Sequence, residues 1–271
     1  MSVTVLSQIN QLFYQLPDAE RRIAECVIAD PVRVQYLSIT ELSELAGVGD
    51  ATVTRFCRRL GLAGFYAFKL ELAKAASEAP APTPDNGVQT ALQDAMGALN
   101  ATAKSLSDEV LHRAAERLLH ARRVLCAGAG GSLLIAAECA HLFTTVCTKF
   151  FALPDTHMQL MALSGMEKGD VLLLFSYSGA TKSGAELIEY AKRRGVHVLL
   201  VSGFAHSPLG EQCDAVLQCA AHEGPFQSGS MPARMAQLLA IDTLFRTYCS
   251  IDKTVTQHAE RIAEALSDQH L

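Results

Sequence analysis

At 271 residues, with 49% hydrophobic and 19% charged side chains, the chain has globular composition and length for one large or two modest domains, which excludes a disordered protein. Its longest apolar runs, such as Val171 to Phe175 and Val198 to Val201, are strand length, well short of the roughly 20 residues of a membrane-spanning helix, and the N-terminus has no secretory signal pattern, so a cytoplasmic protein without a membrane partner is expected. The net charge of −5 falls wholly after residue 77, since residues 1–77 hold eight basic and eight acidic side chains, so any nucleic-acid contact must come from a local basic face.

The first elements read as helices only. A helix beginning near Asp18 stops at Asp30-Pro31. Ser38 and Glu41 have the spacing of a capping box, so the next helix should start at Ile39; Gly47 ends it in a tight turn and Asp50 is expected to cap its successor. In that successor Val53, Phe56, Cys57 and Leu60 form one buried stripe, while Thr52, Arg55, Arg58 and Arg59 face the other way. Two short helices across a glycine turn, the second displaying a hydroxyl and arginines, make a helix-turn-helix pattern, although an ordinary solvated hairpin has the same periodicity. In the DNA reading, Arg55 near the helix start reaches a guanine edge and Arg58 and Arg59 meet phosphates.

The stretch 77–87, SEAPAPTPDNG, reads as an extended linker, followed by helix over about 88–121. Short apolar strands then alternate with helices. Strands are expected at 123–127, 148–153, 170–176, 197–202 and 215–219, with helices notably over 133–146 and 182–194 and two more, about 231–249 and 254–268, at the end. Continuous apolar strands alternating with helices indicate a parallel five-stranded sheet covered on both faces. Eight cysteines lie in apolar stretches without C-x-x-C or zinc-like histidine spacing, so buried thiols are expected, with no metal and no cofactor.

Two loops at strand ends carry chemistry. In AGAGGS, 127–132, Gly128, Gly130 and Gly131 serve either close ligand approach or tight strand-to-helix packing. Leu133 stands where a dinucleotide fingerprint needs glycine. In SYSGAT, 176–181, Ser176, Ser178 and Thr181 surround Gly179 before a helix, a loop able to wrap a phosphate with hydroxyl and amide donors. It is neither a Walker A loop nor a nucleophile elbow. Two such loops in one sheet favour a shared ligand crevice over two self-satisfied turns.

The run AGVGDATVTRFCRRLGLAGFYAFKLEL, within residues 1–76, resembles the N-terminal domain of the RpiR family of bacterial regulators; Gly49 stands where that family often has serine. Residues 107–260, with the two loops and QSGSMPARMAQLLAIDTLF at 227–245, resemble the sugar isomerase (SIS) domain, which binds phosphosugars as enzyme or sensor. The resemblance implies a helix-turn-helix domain at 1–77, a linker and connecting helix at 78–106 and a SIS domain at 107–271. It implies that Ser132, Ser176, Ser178 and Thr181 hold the phosphate; Gly130, Gly179 and Glu223 are read as further phosphosugar-binding residues. Leu133 and Ser183 depart from residues the family commonly has there, close to the ligand.

Glu223, beside His222, is read as a sugar-hydroxyl acceptor over a proton-transfer base or a solvated residue, so no catalytic residue is assigned. Arg234 faces either the ligand or a neighbouring subunit, and Asp242 is expected to be paired inside the fold. The expected protein is a homodimeric or homotetrameric regulator that binds double-stranded operator DNA under control of a phosphorylated sugar, and is not an enzyme. The alternative is a phosphosugar isomerase or etherase with an N-terminal dimerisation domain, which has no need of three outward arginines on one helix. A dehydrogenase is disfavoured by Leu133 and by the lack of an acidic residue at the spacing that follows a dinucleotide loop.

Overall fold

The structure, a computed structural model, describes residues 5–76, 87–221 and 230–267. The linker residues 77–86 and both His222 and Glu223 lie outside them. The chain forms two compact units, one built on its first 93 residues and the other on 94–221 and 231–271.

The first unit is helical, with α1 (Val5–Leu12), α2 (Asp18–Ala29), α3 (Pro31–Val34), α4 (Ile39–Leu45), α5 (Asp50–Arg59) and α6 (Phe65–Ala76). Its core joins Ile9, Ile23, Leu42, Phe56, Phe68 and Leu72, all fully buried, with Phe56 edge-on to Phe68 at 5.8 Å. The capping box forms: Ser38 Oγ accepts from Glu41 N at 3.1 Å and Glu41 Oε2 from Ser38 N at 2.7 Å. Gly47, at φ +61°, closes α4 with paired bonds from Gly47 N to Glu44 O and Val48 N to Ser43 O, and this left-handed position favours glycine. Asp50 does not cap α5. That position belongs to Gly49, which has no side chain to offer. The Asp50 carboxylate instead accepts from Thr40 Oγ1 at 3.0 Å and Ser43 Oγ at 2.6 Å, tying α5 back to α4. The expected stripe is in place, with Val53, Phe56 and Cys57 fully buried and Leu60 nearly so. Burial pushes the Cys57 thiol up to about 12, so it stays protonated and acts as a small hydrophobe.

The helix expected over 88–121 is two helices, α7 (Gly87–Ser105) and α8 (Asp108–His120). Ser107 separates them, its Oγ accepting from Val110 N at 3.5 Å. The sheet follows: β1 (Val124–Gly128), β2 (Phe150–Ala152), β3 (Val171–Phe175), β4 (His197–Ser202) and β5 (Ala215–Gln218), all parallel, in the order β2-β1-β3-β4-β5. Its helices are α9 (Gly131–Thr144), α10 (Thr156–Ser164), α11 (Lys182–Arg193), α12 (Met231–Ile251) and α13 (Val255–Leu266).

Strand alternation divides the apolar residues between two layers. Cys126, Leu173 and Phe175 pack with α8, α9 and α12 on one face, and Leu125, Leu172 and Leu174 with α10 and α11 on the other. Double coverage explains why the strands read as unbroken apolar runs. Asp242 is not paired inside the fold: its carboxylate takes Arg246 Nε at 2.7 Å one helical turn away, with both side chains substantially exposed. Among the described residues no helix is long and apolar enough to cross a membrane, and no cluster could hold a metal ion.

The sheet order places the site. From β1 the chain goes outward to β2, then returns to β3 on the other side of β1, so the direction of winding reverses between β1 and β3. In open α/β sheets the crevice at the carboxyl ends of such a strand pair is where ligands bind.

Candidate functional site

The two loops singled out in the sequence follow these two strands. Gly128 and Phe175 are register partners at the ends of β1 and β3, so the glycine loop and the hydroxyl loop leave the sheet side by side.

The glycines of the first loop have different jobs. A Cβ on Gly128 would lie 2.9 Å from the Ser132 carbonyl oxygen and 3.1 Å from that of Phe175, so this glycine serves strand-to-helix packing. Gly130 has φ +55° and open space around it, so its backbone conformation excludes a side chain while leaving the loop accessible. Gly131 faces the guanidinium of Arg234. Ser132 follows in the first turn of α9, half-buried. The loop is held from below by Gln159 of α10, fully buried, whose amide nitrogen donates to Gly128 O at 3.0 Å and Leu153 O at 3.1 Å. Sequence reasoning missed Gln159, because nothing in its neighbourhood marks it as more than a helix residue.

The hydroxyl loop is braced more heavily. Ser176 is buried, its N–H donates to Val201 O at 3.1 Å, and its Oγ lies 3.3 Å from Thr181 Oγ1. Thr181 occupies the cap position of α11 without making a side-chain bond to the helix backbone, so its hydroxyl stays turned toward Ser176. Gly179 sits at φ +60°, where a Cβ would collide with the Ser207 side chain; its own carbonyl accepts from Leu209 N at 2.9 Å. Tyr177 turns away from the crevice, its hydroxyl donating to Ala221 O and accepting from Ala221 N at 2.9 Å, and Ser202 Oγ donates to Tyr177 O at 3.2 Å. Ser178 is the exposed member; among the described residues its hydroxyl accepts from Ala180 N at 3.4 Å and makes no other hydrogen bond. Ser176, Ser178, Gly179 and Thr181 thus stand together at the mouth of β3, with Gly130 and Ser132 on the loop beside them, forming a cradle of neutral donors suited to a phosphate.

On the other unit, α5 presents a cationic face. Arg55 is exposed, its Nη2 donating to Thr52 Oγ1 at 3.2 Å, and Arg58 is exposed too. Arg59 differs from its neighbours. Its Nε meets Glu20 Oε2 at 2.6 Å and its Nη2 lies 3.4 Å from Oε1, while the Glu20 side chain is only 5% exposed. This hydrogen-bonded carboxylate raises the Arg59 pKa and neutralises its charge locally. The spacing of arginines gave no hint of this, since Glu20 lies 39 residues away.

Two family models match the chain: the helix-turn-helix domain of the rpiR family over residues 3–79, and the SIS domain over residues 117–246. An uncharacterized HTH-type transcriptional regulator of Caldanaerobacter subterraneus subsp. tengcongensis is 31% identical over 273 residues, covering 97% of each chain. The HTH-type transcriptional regulator HexR of Pseudomonas aeruginosa is 30% identical, covering 97% of this chain and 95% of that one. Among solved structures, the Vibrio vulnificus NanR protein complexed with ManNAc-6P superposes with a TM-score of 0.91 at 26% identity, covering 98% of this chain and 99% of that one.

Proposed function

The chain belongs to the rpiR family of helix-turn-helix transcriptional regulators that carry a SIS domain, and we propose that a phosphorylated sugar held at the carboxyl ends of β1 and β3 controls its binding to operator DNA. The observation that carries this reading is the hydroxyl loop, where Ser176 and Thr181 point their oxygens at one another across 3.3 Å beside the exposed Ser178, at the winding reversal of the sheet. The phosphosugar named in the Vibrio vulnificus complex supports the same ligand class.

Ser132, Ser176, Ser178 and Thr181 hold the phosphate, the backbone of Gly130 and Gly179 lies against the ligand, and Glu223 accepts from a sugar hydroxyl. Thr52, Arg55 and Arg58 of α5 face the DNA, Arg55 toward a base edge and Arg58 toward phosphate. A homodimer places two copies of α5 on half-sites roughly 34 to 36 Å apart. The ligand acts by binding one arrangement of that assembly better than another, and it shifts the DNA equilibrium only by that difference in affinity. No turnover is expected, since every group assigned to the crevice binds and none has a reaction to serve.

The test is a titration of the full-length protein on labelled DNA from upstream of its own gene, with and without sugar phosphates, and a parallel turnover assay. Salt-dependent DNA binding that changes with a sugar phosphate supports the reading. Isomer interconversion that is lost in Glu223→Gln would replace it with the enzyme alternative.

A further inference from the structure

The last turns of α7 and the hydroxyl loop grip one peptide group from its two ends. Thr102, fully buried in α7, donates from Oγ1 to Ala220 O at 3.0 Å, and the same oxygen accepts from Ala220 N at 3.0 Å. Tyr177, inside the hydroxyl loop, donates to Ala221 O and accepts from Ala221 N at 2.9 Å. Ala220 O and Ala221 N–H belong to one planar amide, so Thr102 holds its carbonyl end and Tyr177 its N–H end. That plane is rigid, and turning either end turns the other. Both hydroxyls are themselves fixed. A Cβ on Gly203 would stand 2.8 Å from Tyr177 Cζ and 2.9 Å from Cε2, so glycine there lets the ring lie flat against the backbone. Thr102 and Ala98 are the buried residues of α7, and Ser105 Oγ adds a bond to Gln218 O at 3.0 Å.

We propose that Tyr177 and Thr102 are positioning residues that carry the state of the crevice to α7 through this one amide. The proposal rests on the phosphosugar reading above and says how that site is linked to the rest of the chain. Ser176 and Ser178, on either side of Tyr177, are the groups assigned to the phosphate, so a ligand that tightens the loop moves the ring between them. Tyr177 itself turns away from the crevice and binds nothing there. At the other end, α7 begins in the first unit and passes into the second at Asp94. A displacement at Thr102 therefore acts on the helix that leads into the helical unit. Coupling between distant sites needs rigid or packed elements in contact, and a planar amide bonded at both ends is a short one.

The test uses the full-length protein with Tyr177→Phe and Thr102→Val, which remove a hydroxyl and keep the shape around it, and Thr102→Ser, which keeps the hydroxyl. Without ligand, Tyr177→Phe is expected to speed hydrogen exchange about 2- to 10-fold at the amides of 98–105, as loss of one hydrogen bond allows. Thr102→Val should do the same at 176–181, and Thr102→Ser should keep the wild-type rates. Exchange that changes only in the substituted residue's own element, or nowhere, overturns the proposal. If Thr102→Val does not fold, Tyr177→Phe decides alone, since Ala221 is half-buried and its amide can turn to water. The second readout is operator binding with and without ManNAc-6P and glucose 6-phosphate. A sugar phosphate that shifts wild-type DNA affinity by about fivefold or more should shift that of Tyr177→Phe by less than about twofold. Its affinity for the DNA-free variant should stay within about threefold of wild type. A full response in Tyr177→Phe sinks the coupling route. If neither sugar phosphate shifts the wild type, it is the phosphosugar reading that fails, and the exchange rates alone judge the link between loop and helix.

Discussion

Helix α5 and the loop after β3 each present a group of polar side chains outward, but they divide the work of folding and binding differently. On α5 the two jobs lie on opposite sides of one helix, with Val53, Phe56 and Cys57 in the core and Thr52, Arg55 and Arg58 facing out. In the loop the same few residues do both. Ser176 is buried and bonded to β4, Gly179 is packed against Ser207, and the only freely exposed hydroxyl is that of Ser178. A helix surface tolerates substitution because its backbone bonds are satisfied internally, whereas a loop that wraps an anion needs its backbone in one conformation.

The largest test of this contrast is Gly179→Ala. A methyl at φ +60° is strained and also collides with Ser207. Strain and overpacking each cost about 1 to 3 kcal/mol, so together about 2 to 6 kcal/mol of the stability of the α/β unit should be lost. Thermal unfolding should register that loss, ligand binding should disappear, and the affinity for DNA without ligand should persist. An alanine tolerated here with ligand binding intact would show that the loop is not preorganised.

Next in size is Ser178→Ala. Among the described residues the hydroxyl is bonded only to Ala180 N, so the melting temperature should stay put. A lost bond to a charged phosphate contributes about 1.5 to 3 kcal/mol, which weakens the ligand about 10- to 150-fold. The response of DNA binding to sugar phosphate should shift to correspondingly higher concentration. A stability loss as large as that of Gly179→Ala would erase the distinction between the exposed hydroxyl and the braced glycine.

On α5, Arg55→Ala should reduce discrimination between operator and mismatched DNA by about 1 to 3 kcal/mol without lowering the melting temperature. Arg58→Ala should weaken all sequences alike and flatten the salt dependence, as loss of a phosphate contact does. Binding to operator and random DNA across a salt series measures both effects. If Arg55→Ala weakens both DNAs equally, it is a phosphate contact and not a base reader.

How far the sequence alone carries differs between these regions for the same physical reason. The capping box, the α5 stripe, the five parallel strands and both chemical loops were legible because each is a local pattern, set by period, cap or turn chemistry. What escaped is what depends on distant contacts. Gln159 supports Gly128 across 31 residues, and Arg59 is held by Glu20 across 39. Arg234 meets Gly131 from a different helix, a contact that no local pattern marks. Asp50 was misread because a local cap and a bridge to a neighbouring helix ask for the same residue type, and only packing shows which is made. The break at Ser107 was hidden by helical residues on either side of it.

The smallest expected effect tests the one place on α5 where the two jobs meet. Arg58 and Arg59 are adjacent arginines in the last turn, and by sequence they are equivalent. The structure distinguishes them by Glu20, whose side chain is almost wholly buried and has Arg59 as its partner at 2.6 Å. Removing Arg59 leaves that carboxylate without its counter-ion in a poorly solvated position, a larger penalty than the loss of a surface pair. Arg59→Ala should therefore lower the melting temperature of the helical unit, and Arg58→Ala should not. Adding Glu20→Gln to Arg59→Ala should restore part of the loss, because the uncompensated charge is then gone. For DNA the order reverses: a guanidinium already neutralised by a carboxylate releases fewer counter-ions, so the salt slope should change less for Arg59→Ala than for Arg58→Ala. Melting curves and salt titrations on the two variants give four numbers. If Arg58→Ala is the destabilising change, or Arg59→Ala the one that flattens the salt dependence, then α5 does not separate folding from binding as its geometry indicates.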